Sequence, residues 1–387
     1  MTNFSRSFAL KLLAPTLLAL FAGCSGGDGS KELAEGRAAF DVGDFRKAER
    51  KYLKANELVE GNVDAAVLLA QLKLREGAVS EAREWIDRAE ALAASDTDVR
   101  LLAAQIARVE SDYAKAARLL TALIEDPDQT DAIRAQALND LGVVNLDRNE
   151  YDLSRVCFLR AMRYDRMNAA AYFNLGYLYR NTPYGFSEAA LEQFTFFVRL
   201  ASTDGSSSPL VQETQLKILP SLKDTINQKK VDLIGSINPN RAACSEAIGK
   251  AEAAAKKSAW STMRAAYREA VTADPTSFIA ILGLARAEQK VDSSDAGKRR
   301  ALELMHKACA LNPSSTSALL EAGELAEKLN MSLSAQQIYS RALAVDPTSL
   351  KALDGLIRTM KATKKSSREV IAAYQAYRDQ LSAPRSR

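Results

Sequence analysis

Gly43-Asp44-Phe45-Arg46-Lys47-Ala48, Gly77-Ala78-Val79-Ser80-Glu81-Ala82 and Ser111-Asp112-Tyr113-Ala114-Lys115-Ala116 align without gaps, and their alanines stand 34 residues apart. Working outward, Leu141-Gly142 and Leu175-Gly176 recur at the same spacing, followed in their copies by Tyr151 and Tyr179. Near the C-terminus Asn312-Pro313-Ser314-Ser315 and Asp346-Pro347-Thr348-Ser349 are again 34 apart, and Asp274-Pro275-Thr276-Ser277 precedes them with a polar insert around 291–297 between. A fixed period of about 20–50 residues marks an array whose units bury their apolar faces only by stacking on neighbours.

The unit reads as two helices. The first carries a large residue, Leu-Gly and a Tyr, as in Tyr172, Leu175, Gly176 and Tyr179. The second carries Ala48/Tyr52/Ala55, Ala301/Met305/Ala308 and Ala335/Tyr339/Ala342, with Met263/Tyr267/Ala270 as a looser copy. Small residues belong where two helices approach closely, and bulky ones fill the space between units. An Asp/Asn-Pro-Ser/Thr string stops one helix and offers hydroxyl N-caps to the next. This pattern resembles the tetratricopeptide repeat. The resemblance implies an all-α fold, an α-solenoid of antiparallel helix pairs forming a superhelix, with about nine repeats in two arrays. Five repeats are expected over 31–201 and a second array over 241–387, closed by a capping helix at Ser366–Leu381. Residues 202–240 break the period with a polar Gly/Ser loop and a connecting helix containing Pro220.

The N-terminus reads differently. Arg6 and Lys11 precede an uncharged apolar run, Leu12–Ala22, too short to span a bilayer, which takes about 20 residues. The run ends Leu20-Phe21-Ala22-Gly23-Cys24, followed by Ser25-Gly26-Gly27-Asp28-Gly29-Ser30. Small residues before a cysteine, then a flexible tether, resemble the lipobox of bacterial lipoproteins, although Phe21 stands where that family usually has Leu. The resemblance implies a signal peptide over 1–23, a tether over 24–30, and acyl chains on Cys24 that anchor the chain stably. The residues alone also fit an ordinary cleaved signal peptide with Cys24 incidental.

Composition narrows the function classes. Of 387 residues, 47% are hydrophobic and 26% charged, which excludes a disordered chain. The 52 basic and 48 acidic side chains nearly balance at a formal +4, so no electrostatic case for nucleic acid arises. Cys157, Cys244 and Cys309 are far apart in sequence and read as buried small hydrophobes rather than metal or redox pairs. The single histidine, His306, comes without a GxSxG elbow, and no phosphate loop occurs. The expectation is therefore a non-enzyme with no catalytic residues, no metal and no cofactor, working through its surfaces.

In arrays of the family it resembles, first helices line a concave groove for peptides or partner helices. Projecting the register places Gln105, Arg108, Gln136, Asn139, Val143, Phe173, Tyr177 and Arg180 there, with Arg286, Gln289, Lys290, Glu324 and Arg358 from the second array. Phe173, Tyr177 and Arg180 would share one helix face as an aromatic and cationic hot spot, or their rings would instead pack on the neighbouring insert at 183–186. The expected role is a lipid-anchored scaffold at the bacterial cell envelope, attached to the outer membrane and facing the periplasm. It would bind proteins or peptides during assembly of outer-membrane proteins, a pilus or a secretion machine. The competing reading is capture of a glycan or peptide for an outer-membrane transporter. Such proteins are typically richer in Trp than this chain, whose Trp85 and Trp260 fall on second helices.

Overall fold

A computed structural model describes residues 29–202, 208–234, 238–363 and 366–383. Residues 1–28, which hold the expected leader and Cys24, lie outside the described residues. Among the described residues every regular element is helical, and consecutive helices pair antiparallel. No helix among them is long and apolar enough to cross a membrane.

The chain divides into two compact units, residues 1–174 and 175–387. The first holds the pairs α1 (Ser30–Asp41) and α2 (Phe45–Leu58), α3 (Val63–Glu76) and α4 (Val79–Ala93), α5 (Thr97–Val109) and α6 (Tyr113–Glu125), and α7 (Asp131–Asp147) and α8 (Tyr151–Tyr164). The division falls within α9 (Ala169–Asn181), the first helix of the fifth repeat. The second unit continues with α10 (Ser187–Ala201) and the connecting helices α11 (Pro209–Glu213) and α12 (Leu219–Ile234). Four further pairs follow: α13 (Arg241–Lys256) and α14 (Trp260–Ala273), α15 (Phe278–Val291) and α16 (Asp295–Leu311), α17 (Thr316–Lys328) and α18 (Ser332–Val345), and α19 (Leu350–Thr363) and α20 (Arg368–Ser382).

The aligned hexapeptides are the turns inside repeats. Each puts one residue in the left-handed region: Gly43 and Gly77 at φ +79° and +81°, Ser111 at +67°. Asn149, Ser258 and Asn330 repeat this geometry without glycine. Asp44 and Asp112 then cap the second helix, accepting from the backbone N–H of Lys47 and Lys115 at 3.1 and 3.0 Å. Between repeats, the Asp-Pro strings behave as their residues demand. Asp274 and Asp346 accept from the backbone N–H and hydroxyl of Thr276 and Thr348, and Ser277, Ser315 and Ser349 cap the next first helix.

The core follows from size complementarity. Ala48, Ala55, Ala301, Ala308, Ala335 and Ala342 are wholly buried, and Tyr52 and Tyr339 nearly so. First-helix glycines receive second-helix rings: a methyl on Gly36 would lie 2.5 Å from the Tyr52 ring, and one on Gly142 the same distance from Phe158. Cys157, Cys244 and Cys309 are buried free thiols. Pro220 sits in a helical stretch because a π-turn, Thr214–Ile218, precedes it and makes room where the ring would otherwise meet a carbonyl one turn back. Val211, Thr214, Ile218, Leu222 and Ile226 form the buried stripe of this stretch, which packs on α10.

Candidate functional site

First helices of successive repeats touch one another, α5 lying between α3 and α7. Side chains one period apart can therefore bond across repeats. From α5, Gln105 Nε2 donates to Asp140 Oδ2 of α7 at 3.1 Å. Asn139 Nδ2 donates to the other oxygen of Asp140 at 3.2 Å, and Asn139 Oδ1 accepts from Asn174 Nδ2 of α9 at 2.8 Å. Arg108 Nη1 pairs with Asp147 Oδ2 at 2.9 Å. The result is a polar ladder running across three repeats.

Half of the ladder is desolvated. Arg108, Asn139 and Asn174 are buried, and burial pushes the Asp140 carboxyl above its ordinary range, opposed by the Gln105 bond, the Arg108 charge and the Asn139 bond. It is also incomplete: Gln136 Nε2 and Asn174 Oδ1 are buried with no hydrogen-bond partner. An unsatisfied buried polar group costs about 1–3 kcal/mol. One lacks an acceptor and the other a donor, the pair of groups a peptide backbone supplies.

In the second unit two of the register positions are engaged in ion pairs between first helices. Arg286 grips Glu321 with two bonds of 2.8 and 2.6 Å, joining α15 to α17. Arg358 grips Glu327 with two bonds of 2.7 Å, joining α19 to α17, and Glu327 also accepts from the Tyr339 hydroxyl at 2.7 Å. Those bonds hold the Glu327 carboxyl below its usual range, Arg358 contributing most. Lys290 is exposed, and its Nζ lies 5.6 Å from the centre of the Trp260 ring at the start of α14.

One expected feature needs correcting. Phe173 is 1% exposed, so its ring is core and cannot share an open face with Tyr177, which is half-buried, or Arg180, which is exposed. Burying the whole ring gains more than presenting it to solvent, because aromatic side chains carry about 150–250 Å² of surface. The insert at 183–186 packs on Tyr179, whose ring lies 6.2 Å from Tyr184 and 5.7 Å from Phe186. Asp140 and Asn174 were not among the residues singled out by register. The signal available for them was a polar side chain beside Asn139 and another one period beyond it. Among the described residues no group of three or more His, Cys, Asp or Glu side chains gathers as a metal site would need.

The tetratricopeptide repeat family profile matches residues 39–106, the stretch that spans the first two aligned hexapeptides. Residues 39–106 carry tetratricopeptide repeats. Solved structures similar to it include the Pseudomonas aeruginosa pilF protein, at 17% identity over 59% of this chain and 92% of that one, with a TM-score of 0.40. MamA protein matches at 18% identity over 47% of this chain and 98% of that one, with a TM-score of 0.34. YrrB, described as a tetratricopeptide protein with an unusual peptide-binding site, matches at 16% over 49% and 92%, with a TM-score of 0.33. No curated protein matches the chain. On the first-helix face of the third to fifth repeats, Gln136 Nε2 and Asn174 Oδ1 are two of the buried polar atoms that stand unsatisfied.

Proposed function

We propose that the chain is a lipid-anchored scaffold facing the periplasm, which holds envelope proteins through the first-helix face of its third to fifth repeats. Tetratricopeptide proteins are generally non-enzymatic scaffolds, and the role is binding. The observation that carries the reading is the pair of buried, unsatisfied groups on Gln136 and Asn174 beside a half-desolvated ladder. A segment of partner backbone that reached these atoms would donate to Asn174 and accept from Gln136, recovering two hydrogen bonds. On the C-terminal first helices, Arg286–Glu321 and Arg358–Glu327 tie neighbouring repeats together and stiffen them.

The place of action follows from residues 1–30. A basic n-region, a short apolar run and a cysteine before a Gly/Ser tether support cleavage at Cys24 and acylation there. A scaffold tethered in this way would serve assembly of outer-membrane proteins, a pilus or a secretion machine.

Affinity capture from envelope extracts tests the binding face. The wild-type chain is expected to retain partner proteins in stoichiometric amount, and Gln136→Ala with Asn174→Ala to lose them while keeping its helical circular dichroism. Retention by the folded double variant would remove this face from the reading. The anchor is tested separately by fractionation of cells: Cys24→Ser should leave the protein soluble or uncleaved. A mature, membrane-bound Cys24→Ser protein would end the lipoprotein assignment.

A further inference from the structure

The second unit contains a cleft of about 340 Å³. Its walls come from the α9–α10 turn, α12, and the C-terminal ends of α16 and α18. Tyr184 and Phe186 line one side with stacked rings, centroids 5.3 Å apart and planes inclined by 29°. Ile226 and Leu233 add aliphatic surface.

Three cations line the same cleft: Lys229, Lys230 and Arg341, against a single carboxylate, Glu188. Ion pairs engage many of the protein's other cations, as Lys73 with Glu49, Arg286 with Glu321 and Arg358 with Glu327. Among the described residues none of the three is within ion-pair reach of a carboxylate. Lys229 Nζ donates to the Ser187 hydroxyl at 3.0 Å, and Arg341 Nη2 donates to the Cys309 backbone carbonyl at 3.3 Å. Arg341 therefore spends one donor on a neutral group and keeps the rest of its fork, a geometry suited to carboxylate or phosphate. Its charge is felt locally: His306 titrates below its ordinary range, chiefly from burial and then from Arg341.

Like charges lining one cleft repel, and the hydrogen bonds that Lys229 and Arg341 make are to neutral groups. An anion between them removes the repulsion, and the stacked rings supply an apolar wall beside it. The volume lies at the low end of small-molecule sites, about 300–1,000 Å³, which suits a one-ring ligand better than a peptide strand. We propose that this cleft binds a small organic anion, its carboxylate or phosphate held by Lys229, Lys230 and Arg341 and its flat or apolar body laid against Tyr184 and Phe186. The site is independent of the scaffold reading, since none of its residues belongs to the Gln105–Asn174 ladder.

Titration calorimetry on the protein, from Gly29 onward or as the full chain in detergent, tests it with three probes: phenyl phosphate, inorganic phosphate and benzyl alcohol. Phenyl phosphate is expected to bind saturably at one site, at least tenfold tighter than either of the others, and more weakly as salt rises. Lys229→Gln with Lys230→Gln, both exposed and so harmless to folding, should lower its affinity tenfold or more, and Arg341→Gln likewise. Absence of a saturable signal overturns the proposal. So does equal affinity for inorganic phosphate, which would leave the rings no role, or unchanged binding in the lysine double variant. Gln136→Ala with Asn174→Ala should leave phenyl phosphate binding intact, which separates failure here from failure of the scaffold reading.

Discussion

Tyr339→Ala is expected to lower the stability of the C-terminal repeats by about 3–5 kcal/mol. The ring is 1% exposed and lies between two glycines of different helices. A methyl added at Gly323 on α17 would stand 2.6 Å from one ring edge, and a methyl at Gly355 on α19 would stand 2.6 Å from the other. Because both facing positions already lack side chains, nothing nearby can swing in to fill the space, and the cavity term is felt in full. The hydroxyl contributes separately. It donates to Glu327 at 2.7 Å, but Glu327 keeps its two bonds from Arg358, so Tyr339→Phe should cost only about 1 kcal/mol. Urea unfolding followed by circular dichroism measures both variants. Since repeat stabilities add roughly from neighbour to neighbour, hydrogen exchange should show the loss concentrated in residues 316–363. Equal costs for the alanine and phenylalanine variants would mean that the ring does not wedge these helices apart.

That wedge was legible before any coordinates, because it is written in residue size. A glycine on one helix, a ring on the next and alanines flanking it recur at a fixed period, and helix packing leaves them few other places to go. The turns were equally readable. Asp-Pro-Thr-Ser at 274–277 and 346–349 acts through bonds within four residues, so local chemistry determines it. The candidate site was harder to read. Register fixes the direction of a side chain around the helix but not its depth, and that is why Phe173 was assigned to an open face while its ring is core. The ladder depends on which of several inward residues come within about 3 Å of each other across repeats. Asp140 joins Gln105 to Asn139 only because α5 and α7 adopt one particular stagger. The cationic cleft left no trace at all, since α12, where its two lysines lie, belongs to no repeat and its other walls are drawn from 184–189 and 310–345.

A gain rather than a loss is expected at Asp98: Asp98→Asn should stabilise the protein at pH 7 by up to about 3 kcal/mol. Asp98 lies in the first turn of α5, is 9% exposed, and its carboxyl is pushed up from 3.8 to about 6. Burial is the main cause, followed by the charges of Asp96 and Asp64, with Arg37 acting weakly in opposition. The N-terminus of a helix favours a carboxylate by about 0.3–1 kcal/mol, so here desolvation and like charge outweigh the dipole. The sign follows from linkage. The folded state holds this proton more tightly than the unfolded one, so the wild type loses stability as pH rises from 3.8 through about 6 and regains it as pH falls. Asparagine has the size of the neutral acid and carries no charge, so the variant should lack this contribution. Unfolding free energies measured between pH 4 and 8 should therefore converge toward pH 4, diverge as pH rises to about 6 and hold a constant difference above it. A variant no more stable than the wild type at pH 7, or a constant difference across the range, would show that Asp98 is not buried as a strained charge. The distinction bears on how the array tolerates acid. The buried Asp98 carboxylate is a cost at neutral pH, and one that its protonation relieves before ion-paired acids such as Asp292, held low, begin to lose their charge.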